Sequence, residues 1–261
     1  MKYLHVAWAL LRASAMADLE YRANILVKIL TDVIWYAAML STFEVLFRHT
    51  QNISGWTLES TRVFMGILFL TDGIWMILFS ENLDRFSEKV RRGDLDLYLT
   101  KPVNAQFMLS IHKWMVAYFG NLVIVCAWLA WALAQLPGGV PWQRLPLLLI
   151  LVPCGVLIMY SVRFVFSASA IIFTRADALN YIWYQVYRLG TRPDALYPPV
   201  ARIALLTILP VGFVASVPAR VVAQGQDYWL VGAAVFGAGL GLWLSSRFWR
   251  FALSRYTSAS S

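Results

Sequence analysis

The chain has 261 residues, 60% of them hydrophobic and only 14% charged, with a mean hydropathy of +0.62. A soluble domain runs at roughly 45–50% apolar and about 25% charged, so a soluble enzyme, a disordered chain and a secreted disulfide scaffold are set aside. The net charge of +8 would suit nucleic acid in a soluble protein; here it reads as cations flanking membrane segments, with no nucleic-acid partner.

Residues 2–22 come first. Leu4, Trp8, Leu11, Ala15 and Leu19 recur at four- and three-residue steps and form one apolar stripe. Lys2, His5, Arg12 and Glu20 lie largely off it, while Asp18 and Arg22 break the pattern. The stretch is read as an amphipathic helix lying in the cytoplasmic interface. A signal peptide ending near Ala17 is the competing reading, but His5 and Arg12 interrupt its short apolar run.

Six apolar stretches follow that reach the roughly 20 helical residues a bilayer core requires. They are 24–47, 62–83, 107–134, 144–173, 200–217 and 228–246. The third and fourth exceed one crossing and must tilt, kink or extend into water, with Pro146 and Pro153 as kink sites. The fifth is short and carries Pro210, with Pro218 just past its end. An all-α integral membrane protein of one transmembrane domain, residues 1–261, is expected.

Cations set the orientation. With both termini inside, the inner flanks hold Lys2, Arg12, Arg22, Arg85, Lys89, Arg91, Arg92, Lys101, Arg175, Arg188, Arg192, Arg247, Arg250 and Arg255. The outer flanks hold only Arg48, Arg62, Arg144 and Arg220. That imbalance predicts both termini on the cytoplasmic side.

The hydrophilic segment 81–105 lies between spans two and three. Leu83, Phe86 and Val90 are spaced for one face of a short helix over 82–92, with Arg91 and Arg92 at its C-terminal end and Gly93 as its cap. Leu95, Leu97 and Leu99 then alternate with Asp94, Asp96 and Tyr98 until Pro102. A plain solvated loop accounts for the arginines but not for three regularly spaced leucines.

Helix, then Val90-Arg91-Arg92-Gly93-Asp94-Leu95-Asp96-Leu97-Tyr98-Leu99-Thr100-Lys101-Pro102-Val103-Asn104, then a new span resembles the cytoplasmic coupling segment of ABC-2-type transporter permeases. Ile208-Leu209-Pro210-Val211-Gly212-Phe213 followed by Val217-Pro218-Ala219 is similar to the same family, and the resemblance covers nearly the whole chain. It implies half of an ATP-driven exporter: two permease copies, or one with a sister permease, form the path, and two separate ATPase subunits dock on the coupling segments. ATP and Mg would be held by those partners. The residues agree, since no Gly-x-x-x-x-Gly-Lys-[Ser/Thr] motif exists to cradle phosphates. Phe86 and Val90 are expected as anchors for the ATPase, Glu88, Arg91 and Arg92 as rim pairs, and Gly93 as the turn. Asp94, Leu95 and Asp96 complete the contact. A bacterial-type inner membrane is implied.

Residues 174–199 join polar Thr174–Asn180 to aromatic Tyr181–Arg188 and end in Pro193, Pro198 and Pro199. A helix along the inner membrane surface fits that aromatic content; an extension of the fourth span lining a lateral opening is the alternative. Within the spans, Lys28 and Asp32 sit four apart and can pair. Asp72 in the second span and Arg163 in the fourth fall near mid-depth, where a charge costs about 2.5–3.5 kcal/mol. They are expected to face the bundle interior and to bridge spans two and four or line a polar path. Gly237 and Gly241 make one small face on the last span, best suited to packing within the chain. Cys126 and Cys154 are read as buried free thiols, and His5, His49 and His112 are too scattered for a metal site. An ATP-independent transporter or channel is the alternative function; a lipid-acting membrane enzyme would need a catalytic cluster that the sequence lacks.

Overall fold

The computed structural model describes residues 2–20, 22–173 and 176–256. Arg175 and the side chains of Leu19, Glu20 and Arg22 lie outside the described residues. Among the described residues there is no β-strand, only an isolated bridge between Ile53 and Trp56. Four stretches are long and apolar enough to cross a membrane: Ile25–Phe47, Leu58–Arg92, Leu145–Ile171 and Trp229–Leu253. Tyr118–Ala134 is apolar but shorter.

Helix α1 (Lys2–Glu20) precedes α2 (Arg22–Phe47). The Leu4 and Trp8 end of the expected apolar stripe on α1 points away from the protein, while Val6, Ala7 and Leu10 pack against the core. The first long span, α2, is almost bare, with Leu26, Leu30 and Ile34 exposed on its apolar surface. Helix α3 (Leu58–Trp75) starts at Thr57, whose hydroxyl accepts from the Ser60 amide while Ser60 Oγ accepts from Thr57 N–H. It continues through a π-helical turn, Met76–Ser80, into α4 (Glu81–Asp84) and α5 (Phe86–Arg92). That run of 35 residues is about 52 Å long at 1.5 Å per residue, well beyond a hydrocarbon core of about 30 Å. Segment 82–92 therefore continues the run of α3, and a break at Arg85 (φ −88°, ψ 4°) sets off the short helix Phe86–Arg92 at its end. Gly93, at φ +76°, stops it in the left-handed conformation that glycine adopts without strain.

The leucine alternation predicted after Gly93 folds instead as a helical turn, α6 (Leu95–Leu99), because the two preceding amides are already committed to the end of α5. The third stretch, 107–134, is two helices, α7 (Ala105–Ile111) and α8 (Tyr118–Ala134), separated by an irregular elbow at 112–117. Helix α9 (Leu148–Ala168) carries Pro153 and packs along α13 (Trp229–Leu253). A Cβ on Gly241 would stand 3.0 Å from Ser161 and one on Gly237 3.4 Å from Ile158, so the glycine face serves this internal contact. Cys154 is buried as expected, but Cys126 is exposed on the outer face of α8.

The fifth stretch, 200–217, is not one helix. It is α11 (Pro199–Thr207), a 3-10 turn at Val211–Phe213, α12 (Ser216–Ala219) and a π-helical turn at Arg220–Gln224. Pro210 and Pro218 withhold amide donors, and the gap is filled by packing: Phe213 to Val222 are nearly all buried against α3 and α9. A Cβ on Gly155 of α9 would lie 2.7 Å from the Phe213 carbonyl oxygen.

Gly155→Ala is therefore expected to destabilise the protein by about 1–3 kcal/mol, the range for overpacking. Gly232→Ala, which meets nothing within 4 Å, should be neutral or stabilise by up to about 1 kcal/mol through helix propensity. Thermal unfolding of the two variants in detergent checks the contrast.

Candidate functional site

Two features carry the chemistry: a buried polar column and the segment from Glu81 to the elbow at 112–117. Helix α10 (Ala176–Gly190) builds the column. It packs on α9. Its Trp183 is 1% exposed and packs on Trp75 and Phe166, whereas Tyr181 and Tyr184 of the same aromatic stretch are exposed.

Arg163 is 0% exposed. Its Nη2 donates to Asp84 Oδ1 at 2.7 Å, to Asn180 Oδ1 at 2.9 Å and to the Leu83 carbonyl at 3.4 Å. Its guanidinium carbon stands 6.0 Å from the Trp183 ring. Asp84 also accepts from Tyr184 at 2.9 Å and from Ser80 at 3.2 Å. Deeper along α3, buried Asp72 accepts from the Tyr187 hydroxyl at 2.8 Å. Asp72 and Arg163 thus face the interior as expected, but they do not pair with one another. Arg163 does bridge spans two and four, through Asp84, and α10 supplies a partner to each member. Asp84, Asn180, Tyr184 and Tyr187 escaped notice in the sequence because they sit in segments that read as solvated or interfacial. The one available signal was the four-residue step from Ser80 to Asp84.

Other intramembrane charges follow the same rule. Asp32 takes the Asn121 side chain as its hydrogen-bond donor, not Lys28. Glu44 binds Arg62 through two bonds, 2.6 and 2.9 Å. Asp194, 1% exposed, is bracketed by Arg202 at 3.1 Å and Arg220 at 3.2 Å.

In the segment from Glu81 onward the expected coupling residues divide. Phe86 is buried between Phe164 and Trp249, and Leu95 is fully buried, so neither is available as an anchor for a second protein. Both are what the tip of α5 stands on. Val90 is half-buried against the same core. Arg91 and Arg92 are exposed, Arg92 forms an ion pair with Glu88, and Asp94 and Asp96 are half-buried beside Gly93. The exposed apolar residue is Leu97, 64% accessible.

The backbone donors of the elbow at 112–117 are satisfied by its neighbours. Lys113 N–H donates to Asn82 Oδ1, Trp114 N–H to Ser14 Oγ, Met115 N–H to the Ile77 carbonyl and Val116 N–H to Asp18 Oδ2. Lys2 reaches the Pro102 carbonyl and Tyr3 meets Phe107 edge-on. Helix α1 therefore caps the break between α7 and α8. Tyr98 lies between the Lys89 and Lys101 ammoniums, at 5.2 and 5.4 Å, with His112 edge-on to its ring. Burial, then the charges of Lys89 and Lys101, hold the His112 imidazole below its ordinary pKa.

Among the described residues no group of His, Cys, Asp or Glu could hold a metal ion. A family model described as an ABC-2 family transporter protein matches residues 33–260. No curated protein and no solved structure matches the chain.

Two outcomes are expected. Asp84→Asn strands a buried guanidinium and should cost on the order of 2–3 kcal/mol, less than a fully buried pair because Asp84 is 35% exposed. Adding Arg163→Met should recover part of that loss, whereas exchanging Asp72 and Arg163 should rescue nothing; thermal unfolding of the single and double variants reads both. The fold holds the His112 pKa below that of the unfolded chain, which takes up its proton near pH ~6.5. Stability from this group is present above that pH and falls below it. Melting temperatures at pH values of about 7.5 and 5.5 should diverge less in His112→Gln.

Proposed function

The chain belongs to the ABC-2 transporter family, and we propose that this integral membrane permease is half of an ATP-driven exporter. It pairs with a second copy or a sister permease and draws its energy from two separate ABC ATPase chains that hold ATP and Mg. We read it as a single domain in a bacterial-type inner membrane, with both termini cytoplasmic. The path crosses six times: α2, Leu58–Arg92, α8, Leu145–Ile171, α10 and α13; the broken run from α11 to Gln224 is re-entrant, since Arg202 near its start and Arg220 near its end both hold Asp194. Arg188 and Arg192 leave the inner flank in this reading, but the densest cation cluster, Arg85 to Lys101, stays there and still sets the orientation.

The observation that carries the proposal is the single helical run from Leu58 to Arg92. Its far end projects beyond an apolar core, bears exposed Arg91 and Arg92, and is followed by exposed Leu97. Phe86 fixes that tip to α9 and α13, and Leu95 is buried in the same core. A push on the tip is therefore transmitted along a stiff element into the membrane, and the elbow at 112–117, hydrogen-bonded to Asn82, moves with it.

Replacing Arg91 and Arg92 with Glu and Leu97 with Asp should abolish co-purification of an ABC ATPase from native membranes. All three side chains are exposed, so the melting temperature should hold within about 2 °C, the scale of surface substitutions. Retention of the ATPase by the triple variant, or the absence of any ATPase from the wild-type preparation, overturns the assignment.

A further inference from the structure

A lateral groove of about 1070 Å³ lies between the C-terminal half of α2 and the end of α10 with the chain that follows it. Trp35, Met39 and Phe43 form one wall. Arg188 and Arg192 stand on the other, and both are exposed.

These arginines differ from the rest of the interior set. Arg62, Arg163, Arg202 and Arg220 each hold a carboxylate. For Arg188 and Arg192 there is no carboxylate partner among the described residues. A guanidinium beside an apolar span is costly unless an anion meets it, and its planar fork matches phosphate and carboxylate oxygens. The facing wall carries no charge and a single hydroxyl, that of Thr42, which is bonded to its own helix at the Ala38 carbonyl. It offers aromatic and aliphatic surface along a span whose own flank is open to lipid.

We propose that this groove admits, from the lipid phase, an anionic amphiphile with a phosphate headgroup, a membrane phospholipid or a molecule built like one. The headgroup lies on Arg188 and Arg192, and the acyl chains lie along Trp35, Met39 and Phe43. This names the cargo class of the transporter and in that respect rests on the exporter reading; the binding site itself does not. Tyr187, which donates to Asp72, is itself part of the groove lining, so an occupant meets one member of the polar column that ties α10 to α3.

The test uses the full chain alone in mixed micelles, with native mass spectrometry counting retained lipid. Wild type should retain phosphatidylglycerol at least tenfold over phosphatidylcholine. Arg188→Gln with Arg192→Gln should remove that preference at unchanged melting temperature, and the double Lys variant should keep part of it. Equal retention of the two lipids, or a preference that survives the Gln variant, overturns the site. Full competition by chainless glycerol phosphate overturns the amphiphile in favour of a bare anion site. A shift in oligomeric state without a shift in lipid overturns it in favour of a second copy covering the groove. The cargo assignment is read separately, in reconstituted permease with its ATPase: stimulation of ATP hydrolysis by phosphatidylglycerol supports it, and none overturns it while the lipid count stands. Loss of the ATPase from the preparation strikes the exporter reading and leaves the lipid count untouched.

Discussion

A guanidinium with no access to water has to be met by protein, and at Arg163 the chain does so through Nη2 alone, Nε and Nη1 having no hydrogen-bond partner among the described residues. Its Nη2 takes Asp84 from the end of the second span and Asn180 from α10, while its own helix packs on α13. Four segments far apart in sequence are thereby held at one level. Each bond is ordinary; what matters is that removing any partner leaves a charge stranded, so the arrangement is kept as a unit. The same logic places Tyr187 on Asp72 and Arg62 on Glu44. In an apolar surrounding the polar groups decide which helices meet, because the apolar ones are indifferent to their neighbours.

The second constraint is the backbone. A membrane helix may break only where something else supplies the missing hydrogen bonds. At 112–117 that supply comes from Asn82, Ser14 and Asp18, which makes α1 part of the machinery between α7 and α8 and not a passive float. From 207 to 216 it comes from short turns buried against α3 and α9, where Gly155 permits the approach of a carbonyl oxygen.

How much of this was legible in the sequence depends on the kind of signal. Apolar run length located the four long spans but ended two of them early, at 83 and 246 where the helices run to Arg92 and Leu253, and Gly93 marked a real helix end. Depth identified Asp72 and Arg163 as interior, since a mid-span charge has few other options. Partners were not legible. Asp84 reads as one charge among many in a hydrophilic segment, and Asn180 and Tyr187 gain meaning only when α10 folds inward. Phe86 was misjudged for a related reason. Amphipathic spacing says that one face of a helix is covered, but not whether the cover is the same chain or another.

The π-helical turn at Met76–Ser80 has a rotational consequence. Residues 72 and 84 are twelve apart, and in a regular helix about 100° per residue would set them roughly 120° out of phase. One π turn accommodates one extra residue, so the phase advances as if the separation were eleven, and the two carboxylates come to within roughly 20° of a common azimuth. That azimuth is the one α10 occupies, with Tyr187 on Asp72 and Tyr184 on Asp84. The irregular turn works as a phase corrector. Without it a single straight partner helix could read only one of the two acids, and the column would be split between faces of the span about a third of a turn apart.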